Sequence, residues 1–335
     1  MKIRIHMLLL IAALILIGDK NMPAENAVLS PKNFVSEESD LSSNITCQAM
    51  VITLENVVAL EFIMHYDLNK NPDEAFTELR RLVQINKATT SRVISVQGKS
   101  GQMALTKAGD TQFWIDPIIS RLRGYMDVTA MYQNAGSKIS TWQGVKNGVR
   151  RFIGSVANPI NPTSTDFVFI TLTCEQPKFA QVIPPDSQED RWAWSITAQG
   201  LLFALPTDTA TEFSSQHNMD EQPAEALGDI QRLVLQKKAT IMDMPAVSNK
   251  SGLQAISQFA DGKMTISTTL DALRNIVNLF ALFEYAGGNL QKEFSVYPID
   301  VKFMGSYIDP KTPSSTVFVF IRTTFPEVKS VYPEK

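Results

Sequence analysis

The side chains able to do chemistry are few, and their spacing suits almost no reaction. Beyond the N-terminal apolar run the only histidines are His65 and His217, and the only cysteines are Cys47 and Cys174. Zinc sites need three or four such ligands in close-set pairs, and none of these residues has a partner at that spacing. A Gly-x-Ser-x-Gly elbow, a phosphate-binding glycine loop and a His-Glu-x-x-His helix are all missing from the sequence. Lys99-Ser100 supplies the residue types of a Ser–Lys dyad, in which the amine takes the hydroxyl proton. Followed by Gly101, it reads instead as a tight turn between strands. Carboxylates recur in pairs, Glu61 with Glu212, Glu74 with Glu225 and Asp110 with Asp261. Glu74 and Glu225 fall in first helical turns, where the helix dipole favours acids. Asp110 and Asp261 fall where one strand turns into the next, a common place for Asp. The chain is therefore read as a non-enzyme, with no catalytic, metal-binding or cofactor-binding residue.

Those pairs share one interval. Lys99-Ser100-Gly101 recurs as Lys250-Ser251-Gly252, and Phe152-Ile153-Gly154-Ser155 as Phe303-Met304-Gly305-Ser306, each 151 residues on. Phe167-Val168-Phe169-Ile170 recurs at the same interval as Phe318-Val319-Phe320-Ile321. Sliding the chain by that interval without gaps pairs Ile45–Thr173 with Ile196–Thr324, and roughly a third of the paired positions are identical. The pattern reads as a tandem duplication. Residues the fold requires are then expected in both copies. His65 and His217 fail that test, since His65 pairs with Gln216. Cys47 and Cys174 fail it too, with Ala198 and Phe325 as their twins.

At 335 residues, 44% apolar and 19% charged with a net charge of −3, the chain reads as two globular domains of ordinary size. Lys and Arg are scattered, which argues against nucleic acid or a polybasic membrane patch as a partner. Lys2, Arg4 and His6 precede the apolar run Met7–Ile17, the layout of a secretory signal. The expected order is a signal peptide at 1–27, a polar lead-in at 28–43 and a first β-rich repeat domain at 44–177. A linker marked by Pro184 and Pro185 follows at 178–191, then a second β-rich repeat domain at 192–328 and a tail at 329–335. The mature chain is expected to be exported to the periplasm or outer envelope, or secreted, and to be soluble or peripheral to a membrane.

Within each copy one helix is expected among many strands, so the fold class is α+β: an antiparallel sheet or sandwich with one covering helix. Asn71-Pro72-Asp73-Glu74 has the residue types of a helix start, and Phe76, Leu79, Leu82 and Val83 follow at helical spacing. Leu227, Ile230, Leu233 and Val234 repeat the stripe. Strands are expected at Ile45–Leu54, Thr89–Val96, Gln102–Thr106, Gln112–Ile119, Tyr125–Gln133, Ser137–Trp142, Val149–Gly154 and Thr165–Cys174, with twins in copy two. Phe152, Phe167, Phe169, Phe303, Phe318 and Phe320 should join the stripes in the core. Cys47 and Cys174 sit in the opening and closing strands of copy one, so in an exported chain a disulfide between them is expected. Asn44-Ile45-Thr46 and Asn249-Lys250-Ser251 fit the glycosylation triplet.

The order of features in each copy resembles the β-domain of bacterial secretins. The helix stripe Leu79-Leu82-Val83 leads to Ala88–Val96, then to Lys99-Ser100-Gly101-Gln102 and Ala104. Copy two has Ala239–Val247 with Pro245, then Lys250-Ser251-Gly252 and Ala255. Asn147-Gly148 and Phe152-Ile153-Gly154 are similar to the family's later glycine turn, and Phe167–Leu172 to its closing strand. The family's Pro- and Gly-rich signature before its last strand is missing, and copy two has Pro298-Ile299 in place of Asn147-Gly148. No long alternating hairpins are present to build a membrane barrel. The resemblance implies an envelope-located structural or interaction module that binds a partner protein, not a pore. The alternative is a secreted glycan- or cell-wall-binding module stacking sugars on Trp114, Trp142, Trp192 and Trp194.

Overall fold

Strict apolar alternation makes strands buried on one face, and unbroken apolar runs make strands buried on both. This chain has both kinds. The computed structural model describes residues 39–40, 43–120, 125–174, 195–259, 261–271 and 274–325. The expected signal peptide, linker and tail, most of the lead-in, and Trp192 and Trp194 lie outside the described residues.

After β1 (Ser39–Asp40), the first half runs β2 (Asn44–Glu55), α1 (Asn56–His65), α2 (Pro72–Gln84), β3 (Ala88–Lys99), β4 (Ala104–Ala108), β5 (Thr111–Ser120) and β6 (Tyr125–Asn134). It ends with β7 (Ser137–Lys146), β8 (Arg150–Ala157) and β9 (Ser164–Cys174). The second half runs β10 (Ser195–Pro206), α3 (Thr207–Gln216), α4 (Pro223–Leu235), β11 (Thr240–Asp243), β12 (Ala246–Lys250), β13 (Gln254–Phe259) and β14 (Gly262–Asp271). It closes with β15 (Ile276–Tyr285), β16 (Gly288–Val296), β17 (Asp300–Ile308) and β18 (Ser315–Thr324). The fold is α+β and predominantly strand. Both bounds of α1, α2 and β6 reappear 151 residues later in α3, α4 and β15. The strand at β3 alone is broken in the second half, where Pro245 separates β11 from β12 because it has no N–H to give a ladder.

Among the described residues the strands form two nine-stranded antiparallel sheets. One runs β5–β6–β7–β13–β14–β15–β16, with β1 and β4 beside β5. The other runs β17–β18–β10–β12–β8–β9–β2–β3, with β11 beside β10. Each sheet crosses from one half to the other. In the first sheet Ile256, Ser257 and Gln258 pair with Ser140, Ile139 and Lys138. In the second, Ala246 and Val247 pair with Ser155 and Gly154. The described parts of the repeats at 44–177 and 192–328 are thus halves of one sandwich rather than domains standing apart, and the described residues belong to one compact unit.

The inner faces of both sheets enclose the larger core, with Val51, Val168, Ile170, Phe113, Ile139, Val319 and Phe283 in it. The opposite face of the second sheet packs on the helices through Phe152, Phe167, Phe169, Phe203, Phe318 and Phe320. Central strands β9 and β18 therefore alternate aromatic and aliphatic, one set for each layer. The expected stripe of α2 is buried at Phe76, Leu79 and Leu82, and that of α4 at Leu227, Ile230 and Val234. Leu233 and Phe303 are only half-buried, packing at the margin of the helix layer.

Two expectations are corrected. Among the described residues each half holds two helices, not one: α1 and α3 precede the expected pair. The Cys47–Cys174 disulfide is not formed, and both side chains are buried as thiols. In the β2–β9 ladder Cys174 lies opposite Ile45 and Cys47 opposite Leu172, so the two cysteines are diagonal rather than facing. Diagonal neighbours lie about 7–8 Å apart, beyond disulfide reach.

Candidate functional site

The recurring motifs turn out to build the fold. Ser100 is buried, and its Oγ accepts the Ile119 N–H at 3.0 Å, tying the end of β3 in one sheet to β5 in the other. Ser251 does the same for Leu270 at 2.8 Å. Gly101 and Gly252 follow in the left-handed region at φ 75° and 83°, where a side chain would be strained. The Lys-Ser-Gly run is thus a clasp between sheets. Lys250 turns inward to Asp127 at 2.9 Å, while its twin Lys99 stays exposed. The Asp110 and Asp261 carbonyls accept N–H groups from the turns at Ala135 and Ala286. Glu61 and Glu212 lie exposed on α1 and α3, and Glu74 accepts the Asn71 amide at 3.2 Å in the first turn of α2.

The histidines are held locally. His65 Nδ1 lies 2.7 Å from the Glu61 carbonyl. His217 stacks on Phe213 and bridges the Phe213 carbonyl to Asp229 at 3.0 and 2.8 Å. Asn249, of the second glycosylation triplet, is buried with its Oδ1 accepting the backbone N–H of Trp142 at 3.1 Å. Trp114 is half-buried and donates to Met131 Sδ. Trp142 is half-buried beside Lys250.

Two corners of the sandwich carry the polar chemistry, one built around Arg92 and the other around its twin Asp243. In the first half Arg92 donates to the Tyr132 hydroxyl at 3.1 Å. Asp166 is buried beside them, its Oδ1 accepting Thr53 Oγ1 and Asn158 Nδ2 at 2.5 and 2.8 Å. Burial raises the Asp166 pKa, opposed by those two hydrogen bonds and by Arg92. In the second half Asp243 replaces Arg92. Burial pushes its carboxyl up to about 7, the Met244 N–H opposes that, and Asp261 adds to it. Burial and the carboxylates of Asp261, Asp309 and Asp243 push Tyr285 up to about 12. Tyr307, its hydroxyl buried without a partner, is raised as well, by burial first and then by Tyr285 and Asp309. Such a corner can hold or release a proton near neutrality. Among the described residues no group of three His, Cys, Asp or Glu is placed for a metal ion.

The third feature is the pair of open ends. Among the described residues, β3 ends one sheet and β4, with the two-residue β1 further along β5, ends the other at one end, and β16 and β17 end them at the other. Ten large apolar side chains are exposed among the described residues, and six lie at these ends: Val93, Met103 and Leu105, then Tyr297, Ile299 and Ile308. A groove of about 380 Å³ opens between the sheets at the first end, lined by Arg92, Val93, Ser95, Thr106 and Phe113 among others. The sequence marks no residue for binding a partner protein. The exposed Val93 and Ile308 stand out only once edge strands are known, since alternation looks alike on inner and outer strands. Comparison with known proteins finds no matching family model, no matching curated protein and no matching solved structure.

Proposed function

We propose that the chain is a non-enzymatic structural module of the cell envelope that binds a partner protein through its open strand edges. The observation that carries this reading is the exposed apolar set on β3, β4 and β17 and at the β16–β17 turn. An edge strand offers a row of unpaired N–H and C=O groups, a ready template for another strand. Exposed apolar side chains on that strand give an added strand something to pack on. Envelope location is supported by the signal-like residues 1–27, and the structural class by the secretin-like order of features in each half. The described tryptophans are committed to Met131 and to the neighbourhood of Lys250, which lends sugar stacking no support. The test is site-specific photo-crosslinking in the producing cell, with the probe at Leu105 or Ile308 and a control probe at exposed Thr77 on α2. Protein adducts at the two edges and none at the helix are expected. Absence of edge adducts would count against the reading.

A further inference from the structure

We propose that copies of this chain join head to tail, the β16/β17 edge of one pairing with the β3/β4 edge of the next. The register would be the one that already joins the two halves internally. The inference rests on the strand-addition reading and names its partner as a second copy of the chain.

The internal joint is heterologous. The first half contributes β7 and β8, and the second contributes β13 and β12. Shifted by the repeat interval, β7/β8 correspond to β16/β17, and β12/β13 to β3/β4. Each chain therefore uses one edge of each kind inside itself, and among the described residues one of each kind is left open. A heterologous contact that leaves both of its surfaces exposed at the ends can repeat from chain to chain.

The open edges keep the features the joint needs. Ala246, Ser248 and Lys250 are buried in the joint, whereas their twins Ser95, Gln97 and Lys99 are exposed. Gly154 sits at a β-bulge where a Cβ would lie 2.4 Å from the Ala246 carbonyl, so only glycine admits the neighbouring strand. Gly305 keeps the same bulge on the open edge, where a Cβ would meet only Leu290 of its own half. At the joint Ser155 is held from both sheets, its Oγ donating to the Met244 carbonyl at 2.9 Å and its backbone carbonyl accepting from Ser257 Oγ at 3.2 Å. The twins of those two partners, Val93 and Thr106, line the groove at the open end.

The carried-over register is specific. Ala246 opposite Ser155 and Val247 opposite Gly154 become Ser95 opposite Ser306 and Val96 opposite Gly305 of the neighbour. Continued by two residues, it sets Val93 directly against Ile308, two side chains each 65% exposed in the single chain. In the other sheet Leu105 and Thr106 would face Gln291 and Leu290. The polar clasps do not carry over. The Lys250–Asp127 pair becomes Lys99 and Asn278, and the buried amide of Asn69, which donates to Ser195 and Thr324, becomes Asp220 held by Lys292. Contact between chains is therefore weaker than the internal joint, and reversible.

Sedimentation equilibrium of the purified full chain should give the mass of one chain when dilute and a rising average mass as concentration increases. Val93→Asp or Ile308→Lys alone should suppress the rise, and the two together in one chain should restore it, because each Asp then meets a Lys across the joint. Mixed Val93→Cys and Ile308→Cys chains should form a disulfide-linked pair under mild oxidation, since directly opposed strand residues lie within disulfide range. Neither variant alone should do so. Single-chain mass at every concentration, or association unaffected by Val93→Asp, would overturn the proposal. In the first case, edge adducts persisting in cells would leave strand addition standing with a different protein as partner, and their loss would remove both readings.

Discussion

At one backbone position the two halves carry opposite charges. Arg92 in the first half neutralises a corner that holds Asp166, whereas Asp243 in the second adds a carboxyl to a corner already holding Asp261 and Asp309. Around that position the polar neighbours differ too, Asp166 standing against Val317 and Tyr285 against Asn134, while the framework beyond them does not. Strand bounds, the Ser clasp, the Gly bulge and the Phe-x-Phe of the central strand recur at one interval. The contrast separates what the sandwich requires from what each half has been left to vary. Apolar alternation and a few turn and bulge residues are required by both. The polar groups at the corners are not, so their differences belong to function or to local stability.

The largest effect should come from what the halves share. Phe167 and Phe318 are equivalent and fully buried in the helix-facing layer. Truncating either to Ala should cost about 3–5 kcal/mol, and the two costs should be similar. Because both sheets run through both halves, either variant should lower one common unfolding transition in calorimetry. Two separate transitions would show that the halves fold independently and that the shared ladders contribute little.

Next in size is the corner that differs. The Asp243 carboxyl rises from 3.8 to about 7 in the folded chain. Below about pH 4 both folded and unfolded states hold the proton. As pH climbs toward 7 the unfolded state releases it first, so stability falls across that window and levels off above it. The full loss is on the order of 4 kcal/mol. Asp243→Asn should match the native chain near pH 4 and become the more stable of the two as pH rises to 8, measured by denaturant melts. Arg92→Met should push Asp166 further up, giving a loss of stability with the same sign. Equal pH profiles for native chain and Asp243→Asn would remove the charge contrast between the corners.

Much of this layout is legible in the sequence, and the part that is not has physical causes. The strands and α2 follow from patterns present in both halves, so each half vouches for the other. Helices α1 and α3 escape because their patterns disagree: Asn56–His65 is apolar nearly throughout, and Thr207–Gln216 is mostly polar. Only Ala59 with Ala210 and Phe62 with Phe213 are buried in common. The joining of the halves is silent too, because alternation sets which face is buried and says nothing about which strand lies alongside. The corners draw on residues from strands distant in sequence, so no local motif announces them. Aligning the halves does expose Arg92 against Asp243, a charge reversal that marks the place without explaining it.

The clasp offers a finer comparison. Ser100→Ala and Ser251→Ala each remove the acceptor for a strand N–H, Ile119 in one half and Leu270 in the other. Leaving such a donor unmet costs about 1–3 kcal/mol when it is buried. Ser100 is the more deeply buried of the two, so its variant should lose more. A larger loss at Ser251 would show that the second half depends more on its clasp, against the similarity argued above.

The smallest effect should appear where the halves differ in cysteine. Cys47 and Cys174 in the first half face Ala198 and Phe325 in the second, and all four are buried. Both halves thus bring the opening and closing strands together through the ladder alone, β2 on β9 and β10 on β18. Burial pushes the Cys47 thiol up to about 12, which leaves almost none of the reactive thiolate at neutral pH. Added reductant should therefore leave the melting temperature unchanged. A thiol reagent should find no reactive group in the folded chain and two per chain in denaturant without reductant. A count of zero in denaturant would mean that the strands slide by two residues to bring the cysteines face to face. That slide would keep each side chain on its own face, since strand alternation has a period of two, but it would break the register shared with the second half.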